Sequence, residues 1–296
     1  MSTKRTIGIA GLGLMGRAFA ARLVQAGHRV LAYDVRSVEP PAGVELQPSL
    51  AGLVPECEAV VLAVFDTAQV EHVLFGADGL AVSGLRAPVL CTSTCDPEEI
   101  ARIAARCAAQ GLEFLELPFS GTSQQVARGD GVGLVGGDEQ LAERLAAVLD
   151  VLCPRRQHVG RCGDAGRAKL AVNLVLGLHR AALAEGLNFG RRIGLDPARL
   201  LQILQGSAAA SNVMPIKGPL MVQRRYEPPQ SRVDQSLKDF GLIQTLGRRA
   251  GQPLPLADLY VQLLESCVAR GEGALDNAVI HEAIARQASV DPEERA

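Results

Sequence analysis

Thr6-Ile7-Gly8-Ile9-Ala10-Gly11-Leu12-Gly13-Leu14-Met15-Gly16 reads as a short strand, a glycine turn and the mouth of a helix. The helix continues over Arg17–Gln25 and stops at Gly27. In this setting each glycine has a task. Gly11 permits the tight turn, Gly13 lets the backbone approach a pyrophosphate, and Gly16 lets helix and strand pack closely. The helix mouth supplies unpaired N–H groups and a partial positive charge for phosphates. Gly11, Leu12, Gly13, Leu14, Met15 and Gly16 are therefore cofactor-binding candidates.

A second strand over Arg29–Tyr33 ends in Asp34, 18 residues after Gly16. A carboxylate there is placed to bind the ribose 2′-hydroxyl of NAD and to repel the 2′-phosphate of NADP. Arg36 could accept that phosphate, so NAD is the preferred cofactor and NADP the alternative. Further strands are expected at Ala59–Val64, Pro88–Cys91, Glu113–Leu117 and Val132–Val135. Helices are expected at Gln69–Leu74, Ile100–Gln110 and Glu139–Leu149, with Asp96 and Pro97 opening the second of these. Cys153–Gly163 reads as a connection. Strands alternating with helices imply a doubly wound parallel sheet. Ligands sit at the carboxyl ends of such strands, which selects Val64-Phe65-Asp66, Ser93-Thr94 and Pro118–Thr122.

Ala165–Arg191 is a long helical pattern, apolar on most sides and spanning roughly 40 Å, long enough to join two domains. Lys169 and Asn173 are spaced i, i+4 on one face. Beyond it the pattern is helical throughout, with helices expected over Pro197–Gln205, Asn212–Met221, Arg232–Ala250, Pro255–Arg270 and Leu275–Gln287. The fold expectation is therefore α/β: a Rossmann-type domain over 1–163, then an all-α domain over 164–296 beginning with the long interdomain helix. A catalytic cleft is expected between the domains.

Composition excludes several function classes. Lys+Arg 30 against Asp+Glu 32 gives a net charge of -2, which argues against nucleic acid or an anionic membrane as partner. Tryptophan is absent, which argues against a base-stacking surface. No stretch reads as a bare transmembrane span, and Met1–Arg5 carries no apolar signal core. The 7 cysteines are odd in number, lack a C-x-x-C pair and have no zinc-type spacing, so they read as reduced cytoplasmic thiols rather than metal ligands. His28, His72, His158 and His281 read as solvated or capping residues, and His179 as packed at a helix interface. Asp291–Glu294 reads as a frayed tail.

In order along the chain, several motifs resemble the β-hydroxyacid dehydrogenase family of 3-hydroxyisobutyrate dehydrogenases and tartronate semialdehyde reductases. They are the Gly11–Gly16 turn, Ser93-Thr94-Cys95-Asp96-Pro97, and Pro118-Phe119-Ser120-Gly121-Thr122 with Ala127, Gly129 and Gly136-Gly137 following. Gly163–Asn173 resembles the family's G-x-G-x-x-x-K-x-x-x-N segment, with Ala165 at the second glycine, and Lys238-Asp239 resembles its K-D pair. The resemblance implies that Lys169 is the catalytic acid/base and Asn173 a substrate ligand. It implies that Ser120, Gly121 and Thr122 hold a substrate carboxylate, that Thr94 lies near the nicotinamide, and that Lys238 closes over the cofactor. Thr122 departs from the family's second glycine, adding a methyl and a hydroxyl beside the substrate. Association as a homodimer or homotetramer through the all-α domain is also implied.

Reduction of a carbonyl needs a hydride and a proton for the nascent alkoxide; a lysine ammonium can supply the proton and offset the charge. The ordinary lysine pKa, near 10.4, is too high for a base at neutral pH, so the apolar helix is expected to lower it by burial. Two alternatives compete with this reading. An imine reductase shares the overall plan but commonly has Asp or Tyr where Lys169 stands. A non-catalytic cofactor-binding sensor would have no need of Ser120, Lys169 and Asn173 together.

Overall fold

The computed structural model describes residues 4–287 of the chain, in two compact units that divide after Lys169. The first unit opens with β1 (Thr6–Ala10), α1 (Leu14–Gln25) and β2 (Arg29–Tyr33). There follow β3 (Val44–Leu46), β4 (Ala59–Leu62), α2 (Thr67–Phe75), β5 (Val89–Cys91), α3 (Pro97–Ala109) and β6 (Phe114–Glu116). The six strands lie in the order β3-β2-β1-β4-β5-β6, all parallel, with Ile9 opposite Ala32 on one side and Val61 on the other. Order reverses after β1, which creates the crevice where a doubly wound sheet binds its ligand.

Strand alternation divides the apolar residues between the two faces. Ile7, Ile9, Ala59, Val61, Leu90 and Leu115 join one core with Phe19 and Leu23 of α1. Val60, Leu62, Val89, Cys91 and Phe114 join the other with Val70 and Leu74 of α2 and Ile100 and Ile103 of α3. Both faces are covered, which is why these strands read as unbroken apolar runs.

The rest of the first unit adds detail that periodicity did not carry. β7 (Phe119–Ser120), α4 (Ser123–Arg128) and β8 (Val132–Gly136) follow β6, and β8 runs antiparallel to both β6 and β7. The short link through α4 suits an antiparallel return, which needs no crossover. The single helix expected over Glu139–Leu149 is two, α5 (Glu139–Arg144) and α6 (Ala146–Leu152), broken at Leu145 with φ -92 and ψ 6. No glycine or proline marks that break. Within the expected connection lies β9 (Arg155–Gly160), parallel to β8; its polar, largely exposed residues hide a strand held by backbone pairing at the sheet edge.

The long helix α7 (Asp164–Arg192) is continuous. It is long and apolar enough to cross a membrane by length and composition, contrary to the expectation that no stretch would be. The expectation of burial nearly all round also fails, since Val175 is 51% and Phe189 64% exposed. Leu170, Leu183, Ala184 and Leu187 are buried in the core of the second unit, with residues of α8 (Pro197–Gln205), α9 (Met214–Gln223), α10 (Val233–Arg249), α11 (Pro255–Ala269) and α12 (Ile280–Gln287). The last expected helix, Leu275–Gln287, is α12 preceded by a 3-10 turn at Asn277–Val279. Lys217 and Asp276 form an ion pair in this unit at 2.8 Å, with side chains 4% and 0% exposed. Asp291–Glu294 lies outside the described residues.

Candidate active site

The glycine turn brings β1 and α1 close together and leaves space at the helix mouth. Gly11 has φ +101, and a Cβ there would stand 2.5 Å from the Ala63 carbonyl oxygen. A Cβ at Gly16 would stand 1.9 Å from the Gly11 oxygen, so only glycine lets α1 approach β1 so closely. Gly13 faces open space, with nothing within 4 Å of its would-be Cβ. As N-cap it offers no side chain to the α1 amides, and the first turn holds no acidic residue. Those amides and that space fit a pyrophosphate. Leu12 is buried and Leu14 exposed at 38%, while Met15 packs against the core.

Asp34 ties its strand end to the same turn. Its Oδ2 accepts the Leu12 amide at 2.7 Å, and Arg36 grips the carboxylate from Nε at 2.9 Å and from its terminal nitrogen at 3.0 Å. Burial works to raise this carboxyl, but the Arg36 guanidinium and the Leu12 and Arg36 amides outweigh it and hold it down to about 2. A carboxylate with a cation already seated on it is therefore ionised throughout the physiological range.

The loops after β4 and β5 are bound together. Ser93 accepts the Val64 amide at 3.1 Å and donates to the Val64 oxygen at 2.8 Å, while the Phe65 amide donates to Gln69 Oε1 at 2.9 Å. Val64 also lies 3.3 Å from a would-be Cβ at Gly11, which joins this loop to the glycine turn. Phe65 is 38% exposed and Thr94 half-buried, beside Asp96, whose carboxylate caps α3 as its sequence position implies.

Ser120 ends β7 half-buried, and Gly121 has φ +143, where a side chain would be strained. Thr122 also has a local structural role. It is buried at the N-cap of α4, its hydroxyl accepting the Gln125 amide at 3.3 Å while its own amide donates to Gln125 Oε1 at 2.9 Å. This reciprocal capping box uses the Thr122 amide donor and a lone pair of its hydroxyl, but not the hydroxyl proton. Thr122-Ser123-Gln124-Gln125 is the matching pattern in the sequence.

Glu116 was not singled out in the sequence. It ends β6 only 1% exposed, and its Oε2 accepts the Gly163 amide at 2.7 Å. Burial pushes its carboxyl up to about 7, against the lowering effect of the Gly163 and Gly166 amides. An acid inside the apolar run Phe114-Leu115-Glu116-Leu117 was the available signal.

Lys169 is 7% exposed on α7, five residues after its first residue. In the second unit Asn173 Nδ2 donates to Asp239 Oδ2 at 2.8 Å, and Lys238 Nζ lies 2.8 Å from Asp239 Oδ1. Gln235 Nε2 adds a bond to Oδ1 at 3.3 Å. Asp239, previously only half of a motif, thus joins two of the residues assigned to substrate and cofactor.

The histidines divide differently from expectation. His28 is 5% exposed, accepts the Arg5 amide at its Nδ1, and has its pKa lowered first by burial. His281 is equally buried and lowered for the same first reason. Both are core residues rather than solvated ones, whereas His72 and His158 are exposed. His179, expected at a helix interface, is exposed.

Comparison with known proteins covers the whole of this arrangement. A model of the NAD binding domain of 6-phosphogluconate dehydrogenase matches residues 6–160. A model of the NAD-binding region of NADP-dependent 3-hydroxyisobutyrate dehydrogenase matches residues 163–284. The chain is 31% identical over 282 residues to an L-threonate dehydrogenase of Cupriavidus necator, covering 93% of this chain and 95% of that one. It is 29% identical over 285 residues to a 2-hydroxy-3-oxopropionate reductase of Escherichia coli, covering 94% and 96%. A crystal structure of 3-hydroxyisobutyrate dehydrogenase from Salmonella typhimurium superposes with a TM-score of 0.84 at 27% identity, covering 94% of this chain and 99% of that one.

Proposed function

The chain belongs to the β-hydroxyacid dehydrogenase family and is an NAD(P)-dependent oxidoreductase; on that premise we propose that it interconverts a small 3-hydroxy acid and its semialdehyde, with Lys169 as general acid/base. The observation that carries this reading is a lysine buried to 7% exposure on α7, one turn before an asparagine whose amide is held by a carboxylate. A lysine kept out of water in an apolar helix has no solvation role, and an ammonium there can act on a single polar partner.

The nicotinamide, when bound, supplies or accepts the hydride. Lys169 donates a proton to the carbonyl oxygen as negative charge develops on it, and removes that proton in the reverse direction. Asn173, fixed by Asp239, holds the substrate beside it. Ser120 and the Gly121 amide take the substrate carboxylate, while Thr122 shapes this loop by capping α4. The pyrophosphate is assigned to Gly11–Gly16 and the ribose to Asp34. Val64, Phe65 and Thr94 line the cofactor side, and Lys238 acts on the cofactor. NAD is the preferred form, because a carboxylate at the end of β2 favours a ribose 2′-hydroxyl over a 2′-phosphate.

We read the second unit as the surface through which copies associate, as a homodimer or homotetramer; the exposed Phe189, Ile193 and Ile203 support this. The free cysteines, Cys57, Cys91, Cys95, Cys107, Cys153, Cys162 and Cys267, support a reducing, cytoplasmic setting.

The test is a panel of small 3-hydroxy acids and semialdehydes assayed with NAD and NADP, in wild type and Lys169→Met. Methionine keeps the apolar stem, so folding and cofactor affinity should hold while kcat falls by about 10²–10⁴-fold. Undiminished hydride transfer in the variant sinks the mechanism.

A further inference from the structure

Glu116 lies where chemistry gives a carboxyl little reason to be. It is buried at the end of an apolar strand, and such a group is costly unless fully hydrogen-bonded. Its partners belong to the start of α7. The Gly163 amide, just before the helix, donates to Oε2 at 2.7 Å, and the Gly166 amide in the first turn donates to the same carboxyl. A helix leaves those N–H groups without internal partners, and its positive end favours a carboxylate. The surroundings are cut to this side chain. A Cβ at Gly166 would stand 2.6 Å from Oε1, and one at Gly136 would stand 3.0 Å from Oε2.

The carboxyl therefore joins two segments the chemistry must hold in register. From Glu116 the chain runs through Leu117 and Pro118 into β7 and Ser120. From Gly166 it runs one turn along α7 to Lys169, three residues on and on the same helix face. We propose that Glu116 is a positioning residue: ionised, it clamps the first turn of α7 to β6 and so sets Lys169 relative to the Ser120–Thr122 loop. This rests on the reading of Lys169 as the proton donor.

Ionisation matters because a carboxylate only accepts and does so with full charge, whereas protonation makes one oxygen an O–H donor and weakens acceptance from both amides. Burial raises this carboxyl to about 7, with Asp164 adding to the rise and Arg167 opposing it. The other titratable groups facing it are the thiols of Cys91 on β5 and Cys162 before α7. A hydrogen bond with Cys95 and burial hold the first thiol protonated, and burial holds the second. The Gly163 and Gly166 amides lower this carboxyl, so the clamped form holds its proton less tightly than an unclamped form in which Glu116 stays buried, and the clamp is expected to close as pH rises through neutrality.

The test uses full-length wild type, Glu116→Gln and Glu116→Asp. Single-turnover reduction of an accepted semialdehyde is followed from about pH 5 to about pH 9, alongside the Gly163 and Gly166 amide resonances. In wild type both amides should shift with one midpoint near neutrality, and the rate should rise with that same midpoint. Glu116→Gln should lose both transitions and about 10- to 100-fold in rate, with cofactor affinity unchanged. Glu116→Asp, which keeps the charge on a shorter arm, should restore part of the rate and of the transition. A wild-type rate profile that persists in Glu116→Gln overturns the proposal. So do amides that do not titrate in wild type, an observation that needs no variant to fold. Lys169→Met separates the two claims. If it keeps full hydride transfer, the functional reading falls, and hydrogen exchange over residues 164–169 still decides the clamp: equal protection in wild type and Glu116→Gln overturns it, and loss of protection in the variant supports it.

Discussion

Asn173 and Asp239, 66 residues apart in sequence, meet through one hydrogen bond, Nδ2 to Oδ2 at 2.8 Å. An ionised carboxylate can only accept, so this contact dictates which end of the Asn173 amide faces Asp239. The amide oxygen is left to face a donor, which suits a hydroxyl better than a carboxylate. The same Asp239 holds Lys238 at 2.8 Å through its other oxygen.

Asp239→Ala should therefore act on substrate handling through Asn173 and on cofactor handling through Lys238. A hydrogen bond to a charged group contributes about 1.5–3 kcal/mol, so kcat/KM should fall by roughly 10- to 100-fold. Steady-state kinetics with both substrates varied would check this. A loss confined to thermal stability, with kinetics intact, would leave Asp239 a packing residue.

With Asp34 in its proposed role, Asp34→Ala should narrow the preference between NAD and NADP, losing both an attraction for the ribose and a repulsion for the 2′-phosphate. It also releases Arg36, which now sits on that carboxylate. Asp34→Asn serves as control, since its amide oxygen can still accept from the Leu12 amide without the charge. Both should shift the ratio of kcat/KM values toward NADP by about 10-fold or more. A wild type that already prefers NADP, with variants that behave identically, contradicts this reading of Asp34.

Ser120→Ala and Thr122→Ala should separate cleanly. With Ser120 in its proposed role as donor to the substrate carboxylate, Ser120→Ala should weaken acid substrates more than a neutral alcohol analogue, by about 1.5–3 kcal/mol. Thr122→Ala removes the α4 cap and should cost about 0.5–2 kcal/mol of stability, read in denaturant unfolding. Equal loss on acid and neutral substrates in Ser120→Ala would place the carboxylate elsewhere. Unchanged unfolding in Thr122→Ala would deny the capping role.

Asp276→Ala should be among the most damaging single changes in the second unit. Asp276 accepts Lys217 Nζ at 2.8 Å and the amides of Gln230 at 2.8 Å and Ala278 at 2.9 Å. Its removal strands a buried ammonium, at a cost of about 3–5 kcal/mol. Combining it with Lys217→Met should recover much of the loss in a double-mutant cycle; additive losses would show that the backbone amides, not the lysine, are what Asp276 holds.

Much of this protein was determined by sequence alone because its physics is local. Thr6–Gly16 states a strand, a turn and a helix within eleven residues, and Asp96-Pro97 states a helix start within two. The parallel strands are apolar runs because both sheet faces are covered, and the i, i+4 spacing of Lys169 and Asn173 needs only a helix. What lay outside that reach is what the tertiary structure decided. β9 is polar and held by pairing to β8, and the break at Leu145 has no glycine or proline to mark it. Glu116 could be seen as an acid in an apolar strand, but not that Gly163 and Gly166 wait for it 47 and 50 residues later. Asp239 could be paired with its neighbour Lys238, but its bond to Asn173 exists only once α7 and α10 have packed. Hydrogen bonds between segments distant in sequence have no periodicity, so folding alone reveals them.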